Sequence, residues 1–399
     1  MRDATVPPVE PPVAAPARSI ALPSLLLAGR KALTPLVVGL APLALGVFVL
    51  RYEARLGVLG FDFEGTIWQP GREILAGHSP YPPPQLDAID RGNPSVYPPL
   101  ALLLTAPLAL LPFSVAYWTW AAVLAAGTFA ALWLLGVRDW RCYTLGLGSC
   151  PVVWGLAFGN VSLLLVPLAA VAWRYRSSLG RCAAAVGLAV ALKIVLWPLL
   201  VWLVVTRRTR AALLAATGAV VSTLLAWAVI GFDGLREYPA LLALNTDFYA
   251  AHSWSLAAAG LGLGFPLSLA KLLSSLLGVA LLAGAFVAAR RAGCDRSAFC
   301  LVLVASLALT PIVWPYYFAI LLLPIALASA SFGRAWYFLA AFWLVAFVPR
   351  HVTDTSTPPD GVPPDVWHMH HSGPPAAQAA AFAALTALVA GAVLTRRAR

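Results

Sequence analysis

The chain has 399 residues, of which 61% are hydrophobic and 11% are charged, and its formal net charge is +11. A soluble domain carries more charge and cannot bury this much apolar side chain, so the composition excludes a soluble globular protein. The positive charge lies in short arginine clusters between apolar stretches, which is typical of cytoplasmic loops and not of a nucleic-acid-binding domain. We therefore expect no nucleic-acid partner.

Apolar stretches of membrane-spanning length recur along the whole chain. In lipid the backbone must satisfy its own hydrogen bonds, which favours helices. The sequence therefore predicts an all-α polytopic protein, with several passes through the plasma membrane. The five cysteines form no Cys-x-x-Cys pattern and are interpreted as small membrane residues instead of a disulfide or zinc set.

The pattern along the chain indicates one membrane domain with a short tail. Residues 1–30 are rich in Pro and Ala, and they are predicted to be a disordered cytoplasmic N-terminus. Residues 31–399 are predicted to form a single domain with outer loops at 51–97, 231–253 and 350–375. We find no internal repeat.

The arginine clusters constrain the topology. If every apolar stretch crossed the membrane once, the clusters around Arg138 and Arg181 would lie outside, against the positive-inside rule. We therefore expect residues 98–112 to form a helix on the outer face and residues 182–206 to reverse direction near Lys193. Both termini are then cytoplasmic, and about twelve helical segments result. Five features then face outward together: the Asp62 loop, Tyr97-Pro98-Pro99, Gly159-Asn160, Lys193, and Trp314 to Tyr317.

Two acidic residues, Asp62 and Glu64, follow the first long apolar stretch. One interpretation is a solvated loop with ordinary surface acids. The other is a general base at the outer membrane surface, where Phe61, Phe63 and Trp68 provide a partly dry environment. The pattern alone leaves both interpretations open.

Lys193 lies within the apolar sequence GLAVALKIVLWP. A charge at the bilayer centre costs about 2.5 kcal/mol or more, so such residues are usually functional. A long side chain can also extend to the headgroups. We favour a cation that faces a cavity and binds a phosphate.

Other polar residues have competing explanations. Tyr97 precedes two prolines that suit a helix start, and Asn160 lies in a turn or a site. His368, His370 and His371 resemble a metal cluster, but no Cys or acid of matching spacing accompanies them beyond Asp365. A Pro-rich outer loop is the favoured interpretation, and no metal site is expected.

Five stretches occur in the order seen in one enzyme family: FDFEG with LAGHSPY, VYPPLALLLTAPLALLPFSVAYWTW, FGNVSLLLVPLAAVAW, AAAVGLAVALKIVLWPLLVWLVVTRR and TPIVWPYYFAILLLP. On these stretches, from Phe61 to Pro324, the chain resembles the GT-C membrane glycosyltransferases of family 87. Known members include actinobacterial α-mannosyltransferases that act on phosphatidylinositol mannosides and related lipoglycans. The Ala-rich composition, with Arg over Lys, suits a high-GC actinobacterium.

The resemblance implies a GT-C fold and a polyprenyl-phosphate sugar donor, usually mannose, used on the outer face. The family's catalytic Asp in the first outer loop matches Asp62, and its intramembrane Lys matches Lys193. The usual Gly-Gln-x-Asn becomes Gly159-Asn160-Val161-Ser162. The usual Ser-Pro-x-x-Trp-x-His ends here in Tyr316, so the family His is replaced.

A lipid phosphate is already a good leaving group, so one carboxylate suffices, whereas a glycosidase needs a second. The hypothesis is that Asp62 takes the proton from a glycolipid or lipoglycan acceptor and that the mannosyl centre inverts. Lys193, then Arg72, are the candidates for binding the donor phosphate. The candidates for binding sugar or acceptor are Glu64, Tyr97, Asn160 and Tyr316. No cofactor or metal is required.

Three alternatives remain at this stage. A lipid or sugar transporter would also be polytopic with a buried lysine, but it should show paired repeats with broken helices. A transferase of another polyprenyl-linked sugar, such as arabinofuranose or glucose, would share the same pattern. A non-catalytic relative that binds a lipid-linked sugar is the third, suggested by Tyr316.

Overall fold

The structure, a computed structural model, describes residues 22–86, 89, 94–291, 294–346 and 376–394. Every regular element in these ranges is helical and none is a strand, which confirms the predicted all-helical class. In chain order the helices are α1 (Leu22–Leu56), α2 (Phe61–Phe63), α3 (Gln69–Leu75), α4 (Pro99–Thr105), α5 (Phe113–Leu134), α6 (Trp140–Leu147), α7 (Cys150–Phe158), α8 (Ser162–Arg174), α9 (Leu179–Leu192), α10 (Pro198–Val205), α11 (Thr209–Val229), α12 (Tyr238–Tyr249), α13 (Leu256–Gly262), α14 (Leu267–Ala289), α15 (Asp295–Leu309), α16 (Leu322–Ala328), α17 (Tyr337–Ala346) and α18 (Ala376–Leu394).

Several junctions are built from tighter or wider helical turns. A π-helical turn, Glu64–Trp68, joins α2 to α3. The 3₁₀ turns are Ala106–Leu110, Ile194–Leu196, Pro315–Leu321 and Arg334–Trp336. These turns divide the long apolar stretches of the sequence into short helices.

Three helices, α5, α11 and α14, are long and apolar enough to cross a membrane by length and composition. Several other apolar helices among the described residues are shorter. The predicted count of about twelve membrane segments is therefore not confirmed. Prolines explain where some short helices begin, because Pro99, Pro151 and Pro198 lie in first turns, where a missing N–H is tolerated.

The predicted loops and the described helices differ in extent. Helix α1 starts at Leu22, so residues 22–30, which were expected to be disordered, are helical. Proline at position 23 suits a first turn, and the following leucines favour the helix. The predicted loop at 231–253 contains α12. Residues 1–21 lie outside the described part of the chain.

The C-terminal predicted loop, 350–375, also lies outside the described residues, together with His368, His370 and His371. Within the described ranges, no group of three or more His, Cys, Asp or Glu side chains is placed to hold a metal ion.

Asp295 shows how the chain turns back on itself. Its carboxylate pairs with Arg176 at 3.3 Å, just before α9, and with Arg208 at 2.8 Å, just after α10. The Trp202 indole N–H also donates to it, at 2.9 Å. The chain therefore leaves and returns to the same end of the bundle, as expected from the predicted reversal near Lys193. At about 1.5 Å per residue, α9 carries Lys193 roughly 20 Å away from this end.

Small side chains bring the helices around this reversal close together. A Cβ at Gly187 of α9 would lie 2.8 Å from the carbonyl oxygen of Ala215 in α11. Ala183 on α9 and Ala211 on α11 are also buried. Close backbone approach through small residues is a common way to pack helices in membranes. The close packing against α11 thereby positions the end of α9 and the Lys193 that follows it.

Candidate active site

Asp62 is held in place by its neighbours on both sides. Gly60 adopts a left-handed conformation with φ of 80°, and its N–H donates to the carbonyl of Ala157 at 2.7 Å. Phe63 is fully buried, and its ring contacts the rings of Tyr117 and Trp120. The short helix that carries Asp62 is thereby fixed to the end of α7.

The Asp62 carboxylate accepts two hydrogen bonds on the same oxygen, Oδ2. Asn160 Nδ2 donates to it at 2.8 Å, and the Tyr316 hydroxyl donates at 2.7 Å. Both donors are nearly completely buried, while Asp62 itself is partly exposed. The carboxylate is thus oriented by fixed donors from two distant parts of the chain.

Asn160 owes its position to the turn between α7 and α8. Gly159 ends α7 with φ of 69°, and its carbonyl accepts from the Trp120 indole at 2.7 Å. The Asn160 side-chain oxygen accepts from the backbone N–H of Ser162 at 2.9 Å, which leaves its Nδ2 to face Asp62. The amide orientation is consistent with both contacts, because an oxygen must accept and a nitrogen must donate.

Lys193 lies where the chain reverses, in an extended conformation between α9 and the following 3₁₀ turn. Its side chain is 9% exposed, and its Nζ donates to the Ser162 hydroxyl at 2.7 Å. The ammonium lies 4.1 Å from the Tyr317 ring centroid and 5.0 Å from that of Tyr97. Ring faces attract cations, so two aromatic rings offset part of the cost of burying this charge.

These contacts connect the acid to the cation. Asp62 bonds to Asn160, Asn160 to Ser162, and Ser162 to Lys193. Burial lowers the pKa of the Lys193 ammonium, and the negative charge of Asp62 offsets part of that shift. A carboxylate that can accept a proton and a cation that can stabilise a phosphate thus share one partly enclosed site.

Three hydrogen bonds hold the segment around Tyr97 in place. The Tyr81 hydroxyl donates to the Tyr97 carbonyl at 2.8 Å, and the Tyr238 hydroxyl donates to that of Val96 at 2.9 Å. The Ser95 hydroxyl donates to the carbonyl of Thr66 at 2.9 Å. Burial, and then the charge of Asp62, raise the pKa of the Tyr97 hydroxyl well above its usual range, so this group stays protonated.

Two predicted site residues are more exposed than this cluster. Arg72 is exposed, and its guanidinium stacks over the Trp68 ring at 5.1 Å. Glu64 is also exposed, at the start of the π-helical turn. The structure brings together Asp62 with the four other predicted residues: Tyr97, Asn160, Lys193 and Tyr316.

Two residues that contact Lys193 were not among the predicted site residues. Ser162 belongs to the Gly-Asn-Val-Ser stretch, and Tyr317 follows Tyr316 directly. The sequence features that could have identified them are a hydroxyl residue two positions after Asn160 and a second tyrosine next to Tyr316. Neither is distinctive without knowledge of which way Lys193 points.

A family model, glycosyltransferase family 87, matches residues 96–315, which is more than half of the chain. The matched range contains Tyr97, Asn160 and Lys193; Asp62 precedes it, and Tyr316 follows it directly. No curated protein and no solved structure gives a significant match. Mannosyl specificity and an actinobacterial origin remain predictions of the sequence.

Proposed function

The chain belongs to glycosyltransferase family 87, and on that basis we propose that it moves a mannosyl residue from a polyprenyl-phosphate donor to a glycolipid or lipoglycan acceptor. The observation that carries this proposal is the connected set Asp62, Asn160, Ser162 and Lys193. It offers a proton acceptor and a phosphate-binding cation at one place.

In the proposed reaction, Asp62 takes the proton of the acceptor hydroxyl. The hydroxyl oxygen forms a bond to the anomeric carbon while the bond from that carbon to the phosphate oxygen breaks. The phosphate leaves with the electron pair, and attack from the opposite face inverts the centre. A β-linked mannosyl phosphate thus gives an α-mannoside.

Lys193 is proposed to stabilise the charge that develops on the leaving phosphate, because its ammonium is buried and fixed. Asn160 and Tyr316 orient the Asp62 carboxylate through their hydrogen bonds. Arg72 and Glu64 are both exposed, and they are proposed to contact the donor headgroup or the acceptor.

The proposed location is the plasma membrane, with the active site on the outer face and both termini in the cytoplasm. The end of the bundle marked by Arg176, Arg208 and Asp295 is opposite Lys193 along α9. The positive-inside rule assigns an arginine-rich end to the cytoplasm, which leaves Lys193 near the outer surface.

The test is sugar transfer by purified protein in lipid, with polyprenyl-phosphate mannose and a glycolipid extract. Asp62→Asn is expected to lower the transfer rate by about 10²- to 10⁴-fold, the usual contribution of a general base. Glu73→Gln is a matched control, because Glu73 is an exposed acid on α3 that contacts His78. A folded Asp62→Asn protein with undiminished transfer contradicts the base assignment.

The identity of the sugar is tested separately. Transfer from polyprenyl-phosphate arabinofuranose but not from the mannose donor would overturn the sugar and keep the enzyme class. Passage of a lipid-linked sugar across the bilayer without any transfer would instead support the transporter alternative.

A further inference from the structure

A groove of about 370 Å³ lies between α8 and α9. Its apolar lining includes Leu168 and Val171 on α8, and Ala184 and Leu188 on α9. The small side chain of Ala184 leaves space that a larger residue would fill. The groove is mostly open at the surface, and its volume suits part of an alkyl chain.

Two arginines lie at the end of the groove that is nearest the helix connection. The guanidinium of Arg181 lies 4.9 Å from the Tyr175 ring centroid, and that of Arg174 lies 5.7 Å from it. Tyr175 and Arg181 both line the groove. The apolar space therefore ends in a tyrosine flanked by two positive charges.

These two arginines differ from their neighbours in their partners. Arg176 and Arg208 both pair with Asp295. Among the residues that the structure describes, no carboxylate lies within ion-pair distance of Arg174 or Arg181. Both side chains are exposed, so their charges remain available to an anion from the membrane.

We propose that this groove binds an anionic glycerophospholipid. Its phosphate contacts Arg174 and Arg181, and one acyl chain lies against Leu168, Val171 and Leu188. A basic pocket between membrane helices is suited to anionic lipid headgroups. Tyr175 at the mouth of the groove suits the membrane–water interface, where the lipid phosphate also lies, since its ring is apolar and its hydroxyl is polar.

This site is separate from the candidate active site. Arg181 and Lys193 lie near opposite ends of α9, about 18 Å apart at 1.5 Å per residue. A single lipid phosphate cannot contact both cations. The inference therefore does not depend on the proposed transfer reaction, and its test measures binding only.

The experiment is native mass spectrometry of the detergent-purified protein, titrated with phosphatidylglycerol or with phosphatidylcholine of the same acyl chains. The wild type is expected to bind the anionic lipid more tightly. Each arginine near a charged lipid contributes about fivefold, so Arg174→Gln with Arg181→Gln should weaken phosphatidylglycerol binding by about 25-fold. Phosphatidylcholine binding should change little.

Arg290→Gln is the matched control, because it also removes an arginine that stacks on an aromatic ring, 4.1 Å from the Phe286 centroid. Arg290 directly follows α14, shortly before Asp295, and so lies at the same end of the bundle. This variant should keep the wild-type affinity for phosphatidylglycerol. Melting temperatures establish that every variant is folded.

Ala184→Trp tests the groove with both arginines in place. The exposed position tolerates a large side chain, and the indole should fill the groove and weaken phosphatidylglycerol binding. Wild-type affinity in this variant would mean that surface charge alone attracts the lipid, and it would overturn the assignment of the groove as the acyl-chain site. Equal wild-type binding of phosphatidylglycerol and phosphatidylcholine would overturn the assignment to an anionic phospholipid.

Discussion

The Tyr316 hydroxyl donates a hydrogen bond of 2.7 Å to Oδ2 of Asp62. In the motif that this stretch resembles, the position of Tyr316 is held by histidine. A tyrosine hydroxyl and an imidazole N–H can both donate to a carboxylate, so the replacement keeps this contact. A tyrosine does not ordinarily exchange protons near neutral pH, whereas a histidine does. We infer that Tyr316 orients Asp62 and does not itself relay a proton.

Tyr316→Phe should therefore slow transfer without unfolding the protein. A hydrogen bond to a charged group contributes about 1.5–3 kcal/mol, so kcat should fall by about 10- to 100-fold with a smaller change in KM. Steady-state kinetics of the reconstituted protein measures both. Tyr316→His, which restores a donor, should recover more activity than Tyr316→Phe does. A phenylalanine variant as fast as the wild type would contradict the orienting role.

Lys193→Met should abolish most transfer and leave stability unchanged or raised. A buried charge is costly to desolvate, so an apolar residue of similar length removes a cost together with the hydrogen bond to Ser162. Loss of the cation should reduce transfer by at least about 100-fold.

Lys271→Met is the control for this substitution, because Lys271 is a half-buried lysine of α14 that pairs with the exposed Asp247. Melting temperature and donor turnover are measured for both variants. If Lys193→Met stays folded and keeps its transfer rate, the phosphate assignment fails.

The sequence predicted which residues share the site better than it predicted their contacts. Under the positive-inside rule, the positions of the arginine clusters require the chain to reverse near Lys193. The ion pairs of Asp295 with Arg176 and Arg208 agree with that reversal. The Tyr317 ring beneath Lys193 depends on the register of the 3₁₀ turn Pro315–Leu321, which no hydrophobic pattern specifies.

Arg72 illustrates a limit of a different kind. Its distance in sequence from Asp62 suggests a common site, but the π-helical turn Glu64–Trp68 lies between them. A π-helical turn changes the helix face on which later side chains lie, and no residue pattern predicts such a turn. In the structure, the Arg72 guanidinium stacks on the Trp68 ring.

Gly159→Ala should destabilise the protein more than a comparable substitution elsewhere. At Gly159, with φ of 69°, an added Cβ would lie 2.7 Å from Cβ of Phe63. Gly136 also has a positive φ, of 84°, but nothing lies within 4 Å of its added Cβ. Gly136→Ala should cost about 1–2 kcal/mol from backbone strain alone.

The comparison of the two alanine variants isolates the steric clash. Gly159→Ala should have the lower melting temperature, and it should also reduce transfer because Asn160 follows directly. Equal melting temperatures would show that the junction of α2 with α7 can relax, and the rigid placement of Asp62 would then be in doubt.

Tyr81→Phe should weaken transfer through the position of Tyr97. The Tyr81 hydroxyl donates to the Tyr97 carbonyl at 2.8 Å, and its removal frees the backbone that places the Tyr97 ring near Lys193. A typical hydrogen bond contributes about 1 kcal/mol, so kcat/KM should fall by about fivefold. Burial raises the pKa of the Tyr81 hydroxyl far above neutrality, so the pH profile of transfer should keep its shape.

Tyr143→Phe is the matched control for this effect. Its hydroxyl likewise donates to a backbone carbonyl, that of Val137 at 2.8 Å, but on the connection between α5 and α6. Both variants lose one tyrosine-to-backbone hydrogen bond, so their melting temperatures should fall by similar amounts, while only Tyr81→Phe should lower kcat/KM. A pH profile displaced in Tyr81→Phe would show that its hydroxyl titrates during turnover, and a positioning role would not account for that result.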